Sequence, residues 1–229
     1  MDLSVAAYGM DSGRAVAHGA DREYVTASVV KVAVLAALLL RARDTGGWLS
    51  GEEERLAAAM IERSDNDAAT ALRAAAGGVA GLDAAHTRLG MTRTAAAPAW
   101  GLTRTTAHDQ LTLLKAVFGV DPALDERSRR CLVRLMGRVV PGQDWGVSAA
   151  GGGGGWALKN GWLPRGADGL WVVHSVGRVR GCLVAVLSDG HPSLEAGIAR
   201  VEEAAVEAVR AVGAVTGGAD GAGDADRGA

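Results

Sequence analysis

Lysine and asparagine are nearly missing from this sequence. Its 229 residues hold three lysines, Lys31, Lys115 and Lys159, against 21 arginines, and two asparagines, Asn66 and Asn160. Ala, Gly, Val and Arg are abundant, so under this bias each remaining Lys or Asn is worth locating. Cysteine is equally scarce. Cys131 and Cys182 are too few and too far apart for a disulfide framework or a metal-ligand spacing; buried free thiols are expected, with a single bridge as the alternative. No long apolar run exists: Val32 to Leu40, flanked by Lys31 and Arg41, is too short to span a bilayer. No signal-peptide pattern opens the chain, which begins Met-Asp-Leu-Ser and enters a strand-like pattern at once; a cytoplasmic protein, or one that has lost its true start, is expected. An excess of one charge is lacking too. A net charge of -2 gives no reason to expect nucleic acid or an anionic membrane as partner. With 48% apolar and 22% charged residues, a disordered chain is excluded and one sizeable core is affordable.

What is present changes period along the chain. Leu3 to Tyr8 and Ala15 to His18 read as two strands around the turn Met10-Asp11-Ser12-Gly13. From Ala27 the apolar positions Val29, Val32, Val34, Leu35, Leu38 and Leu39 mark a mostly buried helix to about Arg43. Ser50 with Glu53 forms a capping box before Leu56, Met60 and Ile61. Asp65 or Asp67 caps a helix through Leu72 that Gly77-Gly78 ends, and Leu82 to Leu89 makes a short helix closed by Gly90. Thr92 to Thr103 reads as a loop. Helices follow from Thr105 or Thr106 to Phe118 and from Leu124 to Met136. Gly142 to Gly155, with its five-glycine run, reads as a flexible connection. Strands return at Trp156 to Leu163, Leu170 to Val179 and Cys182 to Leu187, and a last helix carries the stripe Leu194, Ile198, Val201, Ala205, Val209 and Val212. Residues 214–229 have almost no bulk and are expected to be a disordered tail. Strands at both chain ends can share one antiparallel sheet, leaving the helices between them as a separate lobe and a cleft at the junction.

Four of the five scarce residues fall in three short motifs. Lys31 lies in Ser28-Val29-Val30-Lys31, where the i, i+3 spacing puts amine and hydroxyl on one helix face. A Ser at a helix N-terminus has backbone N–H groups aimed where an oxyanion forms, and a desolvated Lys has the lowered pKa a general base needs. By itself this pair arises readily by chance. Asn66 lies in Ser64-Asp65-Asn66 at a junction of two helices. A helix cap is the plain reading, but with only two Asn the tripeptide is far from a chance event. Lys159-Asn160-Gly161-Trp162 lies on the first strand after the helical lobe. Gly161 there lets a substrate backbone approach closely, and an extended substrate can add to the strand edge. His86, His108 and His174 are scattered without partner spacing, Asp109 suits a helix's first turn, and Trp145, Trp156 and Trp171 suit the core or the lobe interface.

Together and in this order, the three motifs resemble those of the serine β-lactamase and penicillin-binding-protein superfamily: Ser-x-x-Lys, Ser-Asp-Asn and Lys-Thr-Gly. The likeness covers nearly the whole chain to about residue 213 and looks strongest to the class A β-lactamase-related serine hydrolases of actinobacteria. It implies an α/β (α+β) β-lactamase/transpeptidase-like fold: a five-stranded antiparallel sheet flanked by the C-terminal helix, with an all-helical lobe inserted between strands 2 and 3. The single catalytic domain would be 1–213, its sheet lobe 1–27 and 156–213 and its helical lobe 28–155. By the same resemblance Ser28 is the nucleophile and Lys31 its base. Ser64 passes protons to the leaving nitrogen, Lys159 orients Ser64 and attracts a substrate carboxylate, and Asn66 positions substrate and Lys31. Asn160, Gly161 and Trp162 line the substrate, and the N–H groups of Ser28 and Trp162 form the oxyanion hole. The resemblance implies an acyl-enzyme, no metal or cofactor, a small-molecule or peptide substrate (a β-lactam or cell-wall-like amide), a monomer, and an extracytoplasmic setting.

The chain departs from that pattern in four places. The loop that carries the family's deacylating glutamate falls at Thr94 to Arg104, with Trp100 at the glutamate's place, and holds no Asp or Glu. Asn160 replaces the usual Thr or Ser. Ser28 and Ser64 are only 36 residues apart, so the helical lobe is trimmed. The family's N-terminal helix has no counterpart, which would expose one face of the sheet. Slow β-lactam turnover is therefore expected, and two other readings stay open: a D-Ala-D-Ala peptidase, or a module that binds penicillin or cell-wall peptide without turnover.

Overall fold

The two ends of the chain meet in one sheet. In the computed structural model, which describes residues 1–119, 123–153, 155–165 and 169–213, β1 (Asp2–Gly9) pairs with β2 (Ala15–His18) on one side. On its other side β1 pairs with a strand from residues 182–191, far along the sequence. Between β2 and the remaining sheet strands lie β3 (Glu23–Val25), α1 (Val30–Asp44), α2 (Gly51–Glu62), α3 (Asn66–Ala75), α4 (Gly78–Arg88), β4 (Arg104–Thr106), α5 (Ala107–Phe118) and α6 (Glu126–Met136). Then come β5 (Trp156–Arg165), β6 (Leu170–Val179), β7 (Cys182–His191) and α7 (Leu194–Gly213). The five-stranded sheet is antiparallel throughout, as expected, with the helices inserted before β5; its strand order is β2-β1-β7-β6-β5.

Each sheet face buries a separate core. On the inner face Ala6, Ala157, Val176, Leu183, Ala185 and Leu187 pack against the helical lobe. On the outer face Val5, Leu158, Val173, Val184 and Val186 pack against Val201, Ala205, Ala208 and Val212 of α7. The helical lobe is built around α1, whose residues Val30 to Leu40 are all buried, Lys31 among them. A helix apolar all round belongs in a core rather than at a surface. The end signals work through side chains: Ser50 and Glu53 form the reciprocal capping box, and Asp65, Thr106 and Asp125 accept N–H bonds at the starts of α3, α5 and α6.

Four local expectations change. Gly77-Gly78 does not open a gap: Gly77, at φ +98°, is itself the cap of α4, which starts at Gly78 rather than Leu82. Glu23–Val25 and Arg104–Thr106 pair as a second, two-stranded sheet where the latter's approach reads as loop; three-residue strands show no period to detect. Residues 146–151 form a 3-10 helix that is largely buried between the sheet and α7. Gly146 is there for closeness rather than flexibility, since a Cβ on it would lie 2.3 Å from Ser175 Oγ. β5 and β7 run on to Arg165 and His191. Both cysteines are free thiols, Cys182 buried and Cys131 half-buried. Among the described residues no helix is long and apolar enough to cross a membrane. The tail expected at 214–229 lies outside the described residues.

Candidate active site

Ser28 stands in a tight turn between β3 and α1. The chain leaves Val25, buries Thr26, and takes a 3-10 turn over Ala27–Val29 before α1 begins. Ala27 holds φ at +45°, a region that costs a residue with a Cβ on the order of 1 kcal/mol or more. Four outside contacts hold the approach to this turn. Thr26 N–H donates to Thr103 O at 2.8 Å, Thr26 Oγ1 reaches Trp100 O and Gly101 O at 3.5 Å, and His174 on β6 reaches Val25 O at 2.8 Å. His174 Nδ1 accepts from Ser188 N–H at 3.1 Å, so the ring proton sits on Nε2 and is the one given to Val25 O.

This clamp requires neutral imidazole. Full burial lowers the His174 pKa from 6.5 to about 4, its backbone bonds opposing only in part. Between these values the unfolded chain binds a proton that the native state refuses, so stability is lost as pH falls through that window. His86 and His191, also lowered by burial, act in the same direction. Urea unfolding is expected to lose about 2 kcal/mol between pH 7 and pH 5. A flat profile over that range would contradict the neutral clamp.

Lys31, three residues past Ser28, is fully excluded from solvent. Its Nζ donates to Ser64 O at 2.6 Å, Ser64 Oγ at 3.1 Å and Asn66 Oδ1 at 2.8 Å, and sits 4.9 Å from the centre of the Trp100 ring. Ser64 occupies the turn between α2 and α3 with φ +58°, which presents its carbonyl and hydroxyl together to the amine. The first turn of α3 supplies Asn66. Desolvation lowers the Lys31 pKa to about 8, with Asp65 opposing. The Ser28 hydroxyl makes no hydrogen bond among the described residues; the amine is drawn to Ser64 and Asn66 instead. Catalytic bonds of this kind often tighten only once substrate is present.

Lys159, Asn160, Gly161 and Trp162 lie on β5, one of the two edge strands of the sheet. Alternation sends Lys159 and Gly161 to the inner face and Asn160 and Trp162 to the outer. Lys159 Nζ is buried and donates to Asn160 O at 3.0 Å; desolvation, with the Lys31 charge adding, lowers its pKa to about 7. No bond from Lys159 to Ser64 is present among the described residues. Gly161 lies directly against the nucleophile turn: a Cβ there would be 2.8 Å from both Ser28 N and Val29 N. Asn160 Nδ2 donates to Gln143 O and Trp145 O at 2.9 and 2.8 Å, while its Oδ1 is buried with no hydrogen-bond partner among the described residues. Trp162 packs its ring against Trp145, 5.7 Å between centres.

The fold thus gathers Ser28, Lys31, Ser64, Asn66, Lys159 and Gly161 at one junction of sheet and helical lobe, and turns the Asn160 and Trp162 side chains to the other face. Two amines lowered to near-neutral pKa beside a hydroxyl make proton exchange at neutral pH feasible. Composition and motifs left out Gln143, which joins the site's walls by donating Nε2–H to Arg63 O and accepting from Asn160. They gave His174 no partner, and identified Trp100 only as the place where an acid is missing. Of the other polar candidates, Asp109 binds Arg93 N and Thr94 Oγ1 and so pins the 92–106 segment, and His108 lies exposed beside Asp21.

Comparison with known proteins agrees with this fold. The family model described as "Beta-lactamase enzyme family" matches residues 52–215, a span that contains Ser64, Asn66 and Lys159 and begins after Ser28 and Lys31. No curated protein matches the chain. Among solved structures, a beta lactamase from Burkholderia vietnamiensis is 26% identical, with TM-score 0.75 and coverage of 93% of this chain and 92% of that one. A beta-lactamase from Streptosporangium roseum is 20% identical, with TM-score 0.74 and 93% of each chain covered. The structure of PBP-A is 20% identical, with TM-score 0.77, covering 92% of this chain and 89% of that one.

Proposed function

The chain belongs to the beta-lactamase enzyme family, and from that premise we propose that it is a serine hydrolase acylated at Ser28. The observation that carries this reading is the Lys31 amine, buried one helical turn from Ser28 and held by Ser64 and Asn66 at 2.6 to 3.1 Å. A buried lysine with three acceptors and a pKa lowered to about 8 is a base in waiting rather than a structural ion pair.

In this reading Ser28 Oγ attacks the carbonyl of a β-lactam or a related amide. Its proton passes to the neutral Lys31 amine, and the N–H groups of Ser28 and Trp162 stabilise the oxyanion. The C–N bond then breaks, and the leaving nitrogen receives a proton through the Ser64 hydroxyl, replenished from the lysines, Lys159 included. Water must finally cleave the ester. Thr94 to Arg104 offers it no carboxylate, so the ester is expected to outlive its formation. Asn160, tied to the 143–145 carbonyls, offers no hydroxyl to a substrate carboxylate, which leaves that recognition to Lys159 and the β5 edge.

The time course of nitrocefin hydrolysis tests this, with intact-mass analysis after penicillin G. The expected result is a burst equal to the enzyme concentration, then a much slower steady phase, with one adduct located on Ser28. An adduct that persists in Ser28→Ala removes Ser28 from the mechanism; fast steady turnover without a burst removes the slow-deacylation step. Turnover of a D-alanyl-D-alanine peptide without nitrocefin turnover makes the protein a peptidase instead.

A further inference from the structure

The 94–104 loop holds no acid, and Trp100, which the family resemblance puts at the acid's place, faces the Lys31 amine. We propose that Trp100 is a positioning residue for Lys31, its ring face holding the ammonium against Ser64 and Asn66 as an aromatic substitute for the missing carboxylate. The ring centre lies 4.9 Å from Nζ, inside the range where the negative face of an indole attracts a cation.

The ring is tied on two sides, so its position is built rather than incidental. Trp100 Nε1–H donates to Thr70 Oγ1 at 3.2 Å, and Thr70 Oγ1 donates to Asn66 O at 3.0 Å. Asn66 is the residue whose Oδ1 accepts from Lys31 at 2.8 Å. One hydrogen-bonded chain therefore sets the indole and the amide acceptor together around the amine. On the other side Trp100 O accepts from Thr103 N–H at 3.1 Å and from Thr26 Oγ1 at 3.5 Å, two residues before the nucleophile. Arg73 fastens the same loop to α3 through Ala97 O and Pro98 O.

The groups that face Lys31 are few. Ser64, Asp65 and Asn66 come from the α2–α3 turn, Lys159 from β5, Ser28 from its own turn, and Trp100 from the loop. Asp65 and Trp100 favour the charged amine; burial and Lys159 oppose it. A ring face differs from a carboxylate in two ways that matter here. It holds the ammonium without accepting its proton, and it covers the amine without giving a hydrolytic water any base.

The scarcity of lysine makes the test direct, and it stays independent of the serine hydrolase reading that gives the inference its meaning. Protein labelled with 13C at lysine Cε gives three resonances, assigned with Lys31→Met and Lys115→Arg. Removing the ring's attraction lowers the Lys31 midpoint, whereas merely letting water in raises it. In Trp100→Leu the midpoint is expected to fall by about 0.5 to 1 pH unit. Trp100→Phe, which keeps a ring face, should recover part of the shift, and Thr70→Val, which frees the indole, should give a smaller fall. Lys115, over the Tyr8 ring at 4.6 Å, should not move and reports that the fold is intact. An unchanged or raised Lys31 midpoint in Trp100→Leu, with Lys115 unmoved, overturns the proposal. A lowered midpoint in a protein that penicillin G does not acylate keeps the role of Trp100 and discards the acylation reading.

Discussion

Lys159→Met is expected to make the protein more stable and to stop it from acylating. The Lys159 amine is completely buried and has one hydrogen bond among the described residues, to the carbonyl of its own neighbour. Its pKa falls from 10.5 to about 7, chiefly from desolvation. At about 1.4 kcal/mol per unit, holding that group charged in the fold costs roughly 4–5 kcal/mol relative to the unfolded chain. The sign follows from proton binding. Between pH 7 and 10.5 the unfolded chain carries a proton the native amine has released, so native stability rises with pH there; below pH 7 the full cost remains. Methionine fills nearly the same unbranched volume without the charge. With allowance for the lost hydrogen bond, a gain of about 2–4 kcal/mol at pH 7 is expected, or roughly 5–10 °C in Tm. The rise in stability from pH 7 to 10 should flatten, keeping only the smaller share from Lys31. Acylation by penicillin G should fall by about 10²-fold or more if Lys159 supplies protons to Ser64. Thermal unfolding at pH 7 and pH 9 beside a stopped-flow acylation rate decides the matter: a lower Tm with unchanged acylation would place Lys159 among ordinary structural groups.

The second large effect is expected at Gly161. The smallest side chain there would put a Cβ 2.8 Å from Ser28 N and Val29 N and 3.0 Å from Thr26 O. All three are backbone atoms, with no flexible end to swing aside. Relief requires the β5 edge and the nucleophile turn to separate by about half an ångström, at a cost of about 1–3 kcal/mol. That gap opens between Ser28 N–H and the strand that carries the Trp162 N–H. A misplacement approaching 1 Å at a reacting centre costs about 10²-fold in rate. Gly161→Ala should therefore reduce acylation by about 10- to 100-fold, and Gly161→Val by more, with both proteins still folded. Gly51→Ala is the control, because among the described residues nothing beyond its chain neighbours and its own helix backbone lies within 4 Å of its added Cβ. Wild-type acylation by Gly161→Val would show that the two N–H groups do not act as a pair.

Why these sites were readable, and others not, follows from their physics. Ser28, Lys31, Ser64 and Lys159 carry signals in residue type, which scarcity of Lys makes visible, and the periodicities around them place each on a helix start, a helix junction or a strand. The motif alone puts Asn160 against substrate, because motifs carry no direction. Strand alternation beside an inward Lys159 already implies an outward Asn160, and its partners Gln143 and Trp145 come from a glycine-rich stretch that looks like a linker. Gly146 shows the same ambiguity: sequence cannot tell a glycine that loosens the chain from one that lets two surfaces touch. Trp100 and Thr70 meet only because the loop folds back on α3, a contact between residues 30 positions apart that no local pattern encodes. The short β3–β4 pairing was hidden because three residues are too few to show a period.

The sheet that joins both ends of the chain also fixes when the site comes into being. β1 pairs along its whole length with β7, so residues 2–9 find their neighbours at 182–189. Ser28 acquires its wall only when Gly161 arrives on β5. Contacts so distant in sequence are slow to close, because the entropy of a long loop is lost before they return anything. A chain still emerging from the ribosome has its serine and its first lysine from the outset, yet neither a wall for the one nor the second amine beside the other. The acylation proposed for Ser28 therefore needs contacts that close only after residues 182–189 have joined the sheet.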